Sequence, residues 1–362
     1  MNRRKLLKAA TLAAASTTVA APATAQSAPA VRWRLTTTFP KTLDTLYGAC
    51  AMLSKAVADL SDQKFQIDVF APGEIVPPFQ VFDAVANNTV EMGNSASYYY
   101  IGKDPAFAFG TAVPFGLNTR QMNAWLTYGD GLRLLNELYA PYGILGIPFG
   151  NTTAQMGGWF RKEIKTISDL SGLKFRVGGV AGMVLSRLGV VPQQLPPGDI
   201  YPALEKGTID AAEWIGPYDD EKLGFLKVAP YYYYPGWWEG GTANHLMINL
   251  AKWNELPKTY QAVIAAAAGL ANVEETARYD ARNPAALKRL IAAGTQLRPF
   301  PQPVMEACLK ASNEVNAETS AANADYKKVL DSMQAFRNDE YLWWQVAEYT
   351  FDGFMIRTRT RA

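Results

Sequence analysis

Asp199-Ile-Tyr-Pro-Ala-Leu-Glu-Lys-Gly-Thr-Ile-Asp-Ala-Ala-Glu213 reads as a helix, a glycine turn and a strand. Tyr201–Lys206 is the helical part, and Thr208–Trp214 the strand. The same order occurs upstream in Gln80-Val-Phe-Asp-Ala-Val-Ala-Asn-Asn-Thr-Val-Glu-Met-Gly-Asn94, which aligns with it without a gap. Ala84 falls on Ala203, Thr89 on Thr208, Val90 on Ile209 and Glu91 on Asp210. Coincidence between two generic helix–turn–strand units is the competing explanation. A true repeat puts Asn94 and Glu213 at equivalent strand carboxyl ends, where open α/β sheets bind ligands.

The surrounding sequence extends the pattern. Val31–Thr37 and Phe65–Phe70 alternate as strands, and Val90–Asn94 is a third. Between them, Thr42–Leu60 places Leu43, Leu46, Tyr47, Cys50, Leu53, Val57 and Leu60 at helical spacing, and Pro78–Asn87 is a short helix. Leu173–Val177, Val180–Leu188 and Val190–Gln194 repeat strand, helix, strand. This predicts an α/β fold of two doubly wound lobes. Asn151–Phe160 and Gly241–Leu250 are the candidate crossing strands, and Gln261–Ala281 is a long alanine-rich helix. Asp339–Arg357 has apolar residues on nearly every helical face. Two readings stand for it: burial beneath its own chain, or insertion into a second subunit.

The amino terminus reads as an export signal. Arg3-Arg4 precedes a weakly apolar run, Ala9–Ala21, and Ala23-Thr24-Ala25 supplies a cleavage pattern after Ala25. The paired arginines and polar dilution favour the twin-arginine route over an ordinary secretory signal. Removal of residues 1–25 takes Lys+Arg from 35 to 31 against 33 Asp+Glu, so the formal charge moves from +2 to −2. Nothing in that balance points to nucleic acid or a lipid surface. With 49% hydrophobic residues, the remaining chain can fill two domains.

Enzyme templates are poorly matched. The single histidine, His245, lies among apolar strand neighbours and reads as a satisfied core residue. Cys50 and Cys308 read as buried free thiols, although a disulfide is allowed in an oxidising compartment. There is no nucleophile elbow, phosphate loop or dinucleotide fingerprint, and Gly178-Gly179 is only a glycine-rich turn.

One region carries chemistry. Arg176 ends a predicted strand among apolar residues, where its planar fork needs an anion and suits a carboxylate. An internal salt bridge to an aspartate is the alternative. Glu213 and Glu239 sit in apolar, aromatic surroundings and, if buried, need a cation or several donors. Two solvated loop glutamates are the bland alternative, and a plain core is the bland reading of the nearby tryptophans and tyrosines.

Gly198-Asp-Ile-Tyr-Pro-Ala-Leu-Glu-Lys-Gly-Thr-Ile-Asp-Ala and Glu213-Trp-Ile-Gly-Pro-Tyr-Asp-Asp-Glu-Lys-Leu-Gly resemble the periplasmic solute-binding subunits of TRAP transporters, the DctP family. Tyr231–Gly241 and Val190-Val-Pro-Gln-Gln resemble its 2-keto-acid-binding branch. The resemblance runs through essentially the whole chain. It implies a two-lobed, type II-like periplasmic binding protein fold with hinge strands, a long connecting helix and a swapped C-terminal helix. It divides the chain into a signal peptide (1–25), lobe I (26–151 plus 241–280), lobe II (152–240 plus 281–335) and a C-terminal dimerisation helix (336–362). It implies that Arg176 clamps a ligand carboxylate. It also implies that Gln155, Glu213, Glu239 and the backbone carbonyl of Trp214 hold a bridging cation, an all-oxygen set suited to a hard ion. Gln155, Arg176, Trp214, Asn151 and Tyr100 are the expected ligand contacts. The expected partners are a small monocarboxylate, the TRAP membrane permease and a second copy of the chain exchanging helices.

Charge counting supports a cation independently. Arg176 with Glu213 and Glu239 sums to −1, which repels an anion. One sodium brings that set to zero, and one calcium brings it to zero with a monoanion bound. The branch resemblance favours sodium and pyruvate-like 2-keto acids. Lactate with calcium, or a larger organic acid, is the alternative ligand, although Trp214, Trp237 and Trp238 argue for a small one. A metal-dependent periplasmic enzyme, with Glu213 and Glu239 as acid and base, is the least favoured reading because neither a histidine nor a nucleophile accompanies them.

Overall fold

A computed structural model describes residues 29–359. The expected signal and its cleavage site lie outside the described residues. From Val31 onward the described chain forms one compact unit.

The chain lays β1 (Val31–Thr37), β2 (Phe65–Phe70), β3 (Met92–Ser95) and β4 (Ile144–Asn151) into one sheet. It then builds β5 (Gly158–Phe160), β6 (Lys174–Arg176), β7 (Val191–Gln193), β8 (Ala211–Ala212) and β9 (Tyr231–Tyr234) into a second sheet. β10 (Ala243–Asn249) returns to the first sheet and β11 (Gln296–Pro299) to the second. The orders are β2-β1-β3-β10-β4 and β11-β9-β5-β8-β6-β7. The result is a two-lobed α/β fold. The first sheet pairs β1 in parallel with β2 and β3, and β10 antiparallel with β3 and β4. Trp33, Leu35, Leu53, Val57 and Phe65 are buried, so the expected strand and helix faces turn inward in the first lobe.

The two aligned segments share backbone detail. Thr89 N donates to Ala84 O at 2.8 Å, and Thr208 N to Ala203 O at 2.9 Å. Val90 N donates to the same Ala84 O, and Ile209 N to the same Ala203 O, each at 3.3 Å. The turn residue is left-handed in both copies, Asn88 at φ 56° and Gly207 at φ 69°. Both are residue types that tolerate that region. The carboxylate of Glu91 accepts from Arg34 N at 2.8 Å, and that of Asp210 from Lys174 N at 3.0 Å. Each acidic residue thus fastens its segment to a neighbouring strand, Glu91 to the middle of β1 and Asp210 to the start of β6. This bond-for-bond agreement favours the repeat over coincidence.

Several expectations are adjusted. The first helix starts at Leu46, not Thr42, with Leu43 buried in the preceding turn. Asn151–Phe160 is not one crossing strand. β4 ends at Asn151, whose Oδ1 accepts from Thr153 N at 2.9 Å, and Thr153 turns the chain at φ 65°. The long helix runs over Lys258–Ala292 and carries Pro284 inside it. No helix among the described residues is long and apolar enough to cross a membrane.

The tail forms two helices, Ala324–Trp344 and Glu348–Thr358. The first packs on the first lobe: Tyr326 meets the Phe109 ring at 4.7 Å, and Trp125 Nε1 donates to Ser332 at 3.2 Å. The second touches its own chain through the Arg120–Glu348 ion pair. Its apolar side chains stay in solvent, with Tyr349 71% and Phe351 63% exposed. Burial beneath its own chain is therefore not what happens to it.

The long helix also places Glu275, 1% exposed, under the crossing strands, where it accepts from Asn244 Nδ2 at 3.4 Å. Burial pushes its carboxyl up to about 8. A carboxyl raised in the folded state contributes fully below its ordinary value of 4.5 and loses that contribution as pH rises through 8. Glu275→Gln should therefore gain stability relative to wild type between pH 5 and pH 9, by at most about 1.4 kcal/mol per pH unit. Thermal melts across that range check this, and a difference independent of pH contradicts it.

Candidate functional site

Arg176 is the last residue of β6, and its register partner on β8 is Ala212. Glu213 follows directly, its backbone N donating to Arg176 O at 3.1 Å. Parallel pairing thus brings two chain-distant ionisable groups side by side. Both are fully buried and form an ion pair. The guanidinium also donates to Glu213 O at 2.9 Å, to Leu195 O at 3.1 Å and to the Tyr99 hydroxyl at 3.4 Å. It lies 5.2 Å from the Trp214 ring centroid, within cation–π range. The alternative of an internal salt bridge is thus realised, with Glu213 as the acid instead of an aspartate.

Glu239 joins from the loop before β10. One of its carboxylate oxygens accepts from Thr242 Oγ1 at 2.8 Å, and its carbonyl accepts from Gln155 N at 3.0 Å. Gln155 donates through Nε2 to Thr152 Oγ1 at 2.9 Å and Thr242 Oγ1 at 3.1 Å. This orientation turns the amide oxygen away from the threonines. Burial raises the Glu213 carboxyl, with Arg176 opposing the rise. Burial and then the Glu213 charge hold Glu239 well above the usual carboxylate range. One arginine is not enough for two buried acids.

Among the described residues, Gln155 Oε1 and Glu213 Oε2 are buried with no hydrogen-bond partner. Buried polar atoms of native proteins are nearly always satisfied. Two unsatisfied acceptors beside a surplus carboxylate fit a hard cation, which takes oxygen ligands. No group of three or more His, Cys, Asp or Glu that could hold a metal occurs among the described residues. Any cation here therefore relies on the amide and on backbone oxygen as well as on the acids.

The cavity at this place is small, about 10 Å³, and is lined by Phe39, Tyr98, Tyr99, Gln155, Trp214 and Thr242 among others. That is about the space of one water. Both lobes contribute to it: Phe39 stands edge-on to Trp214 at 6.4 Å.

The structure brings Gln155, Arg176, Glu213, Trp214 and Glu239 together. Asn151 is adjacent, buried at the end of β4, with Nδ2 unpartnered among the described residues. Tyr100 is not brought to the cavity. Its hydroxyl donates to Ser95 at 3.0 Å and accepts from Phe82 N at 3.3 Å, so it belongs to the first lobe's core. Its neighbours Tyr98 and Tyr99 line the cavity instead. The sequence reading passed over both, along with Phe39 and Thr242; a tyrosine triplet just past the strand end equivalent to Glu213 was the available signal. His245 is buried beside Tyr139, and burial lowers it to about 4, so it is neutral. The Gly110 backbone is its polar partner and opposes that lowering, so His245 is a neutral core residue as expected. Cys50 and Cys308 are buried free thiols.

Residues 37–323 match the family model of bacterial extracellular solute-binding proteins, family 7. The chain is 48% identical over 360 residues to the monocarboxylate 2-oxoacid-binding periplasmic protein of Nostoc sp., covering 98% of this chain and 99% of the relative. It is similar to a TRAP transporter solute-binding protein from Bordetella bronchiseptica, described as a mixed-occupancy dimer with copurified calcium and picolinate (54% identity, TM-score 0.91, 92% and 99% of the two chains). It is also similar to a TRAP periplasmic solute-binding protein from Pseudoalteromonas atlantica described with bound sodium and pyruvate (39% identity, TM-score 0.87, 89% and 98%).

Removing one partner of a buried ion pair typically costs about 3–5 kcal/mol. Arg176→Ala should lower the unfolding free energy measured in urea by that order, with a lower midpoint, and Glu213→Gln added to it should recover part of the loss. An unchanged midpoint in Arg176→Ala contradicts the pairing.

Proposed function

The chain belongs to the bacterial extracellular solute-binding proteins, family 7, and from that membership we propose that it is the periplasmic receptor of a TRAP transporter. Its ligand is a small 2-oxo acid such as pyruvate, bound together with a sodium ion and passed to the membrane permease. It performs no chemistry on that ligand.

The observation that carries this reading is the unbalanced charge at Arg176, Glu213 and Glu239, with Gln155 Oε1 and Glu213 Oε2 left over. Gln155, Glu213, Glu239 and the Trp214 carbonyl would hold the cation, which lowers the repulsion an incoming anion meets. Arg176 would take the ligand carboxylate. The ligands of the two solved relatives support the same chemistry. Pyruvate carries an oxygen, and picolinate a ring nitrogen, on the carbon next to the carboxylate. Each can therefore offer a cation two donors at once. The calcium of the Bordetella relative supports a second reading, in which calcium replaces sodium and lactate or another monocarboxylate is taken. The cavity has to widen for either ligand, and the Phe39, Tyr98, Tyr99 and Trp214 rings that line it favour a small acid over a larger one.

Lobe I is proposed as 26–151 plus 241–280 and lobe II as 152–240 plus 281–323; the expected end at 335 is drawn back because the helix Ala324–Trp344 packs on lobe I through Tyr326 and Ser332. The basic, small-residue leader supports export by the twin-arginine route with cleavage after Ala25. The solvent-exposed apolar helix Glu348–Thr358 supports a homodimer that exchanges its terminal helices.

A ligand that binds only the native state raises its melting temperature. Thermal melts of the mature chain with 2-oxo and 2-hydroxy acids, in sodium, calcium or chelator, should give the largest rise for a short 2-oxo acid with a cation present. No shift with any small carboxylate defeats the proposal. Truncation from about Asp339 should leave a monomer by light scattering, and a monomeric full-length chain removes the exchange.

A further inference from the structure

Gly178 and Gly179 follow β6 and begin the helix Gly179–Arg187 on the second lobe. Tyr98 stands on the turn after β3 in the first lobe. Its ring, 5% exposed, is pressed onto this glycine pair. A Cβ on Gly178 would overlap Tyr98 Cε2, with Cδ2 at 3.0 Å and Cζ at 3.1 Å. A Cβ on Gly179 would lie 3.2 Å from Tyr98 Cβ and Cγ.

The two glycines are needed for different reasons. Gly179 sits at φ 61°, a left-handed value that other residues resist. Gly178 sits at φ −100° and ψ 170°, ordinary extended backbone that any residue adopts. The three atoms nearest a Cβ at 178 all belong to the Tyr98 ring, so the ring and not the backbone conformation calls for glycine there. This contact crosses between the lobes, as does that of Gln194 Nε2 with Tyr99 O at 3.2 Å. The Tyr98 hydroxyl faces Glu239 and supports its charged form.

We propose that Gly178 is a positioning residue for solute capture: its bare backbone is the socket that admits Tyr98 when the lobes close, and the depth of that socket sets how fully the site shuts. The proposal rests on the receptor reading above, because only a chain that opens and closes around a solute has a use for such a socket. A methyl at 178 would act as a stop between the lobes. It would leave the Arg176–Glu213 ion pair in place, draw the Tyr98 hydroxyl back from Glu239, and hold the lobes apart at the rim.

The test is a double-mutant cycle on the full mature chain with pyruvate, sodium and calcium both present. Calorimetry gives affinity, small-angle scattering gives the compaction on adding pyruvate, and melting of the pyruvate-free chain gives stability. Gly178→Ala should weaken pyruvate binding about 10- to 100-fold, which converts to about 1.4–2.8 kcal/mol and lies within the usual cost of overpacking. It should also reduce the compaction and leave the pyruvate-free melting temperature unchanged. In a Tyr98→Ala background, the same glycine substitution should change affinity less than about threefold. Wild-type affinity in Gly178→Ala overturns the proposal. So does an equal loss in both Tyr98 backgrounds, or a pyruvate-free melting temperature that drops equally in both. A wild-type chain that binds no pyruvate overturns the receptor reading itself, a result distinct from any of these.

Discussion

One guanidinium buried between two carboxylates sets the terms for the rest of this molecule. Arg176 has no exposed surface, and Glu213 has none either. Glu239 is 4% exposed and is supported by the hydroxyls of Thr242 and Tyr98. Burying such groups is costly unless charges and hydrogen bonds are matched. Here the charge is matched for Glu213 alone, and even Glu213 leaves Oε2 without a hydrogen bond. The local shortage of positive charge makes the site a place for a cation first, and for an anion only alongside it.

The fold creates that shortage by construction. Parallel pairing of β6 with β8 aligns Arg176 with Ala212, and the next residue is Glu213. The return of the chain to β10 brings Glu239 and Thr242 from the other side, and the segment after β4 brings Gln155. Phe39, Tyr98 and Tyr99 arrive from the first lobe. A cavity assembled from both lobes changes when they move relative to each other, which is how a receptor couples capture to a change of shape.

Much of this was legible in the sequence. The two aligned segments carried the helix–turn–strand grammar, and the structure repeats them down to individual hydrogen bonds. Arg176 and Glu213 were recognisable because each ends a strand-like run among apolar residues. Other features were hidden for physical reasons. β4 contains Gly146, Pro148 and Gly150, which obscure a strand pattern; it is tolerated because β4 lies at a sheet edge, where proline is acceptable. The tyrosine triplet marked the place but not the ring: the tight turn that aims Tyr98 and Tyr99 at the cavity and Tyr100 at the core has no sequence pattern of its own. The break between the tail helices falls at Gln345–Ala347, with neither glycine nor proline to mark it.

The central claim is that an anion and a cation enter this site as a pair. The most direct measurement is the calorimetric affinity for pyruvate across a series of sodium concentrations, repeated with calcium. The account predicts affinity that climbs with the cation, with a logarithmic slope of about one at concentrations below saturation. An affinity for pyruvate that is the same in either cation and in chelated, sodium-free buffer would contradict it.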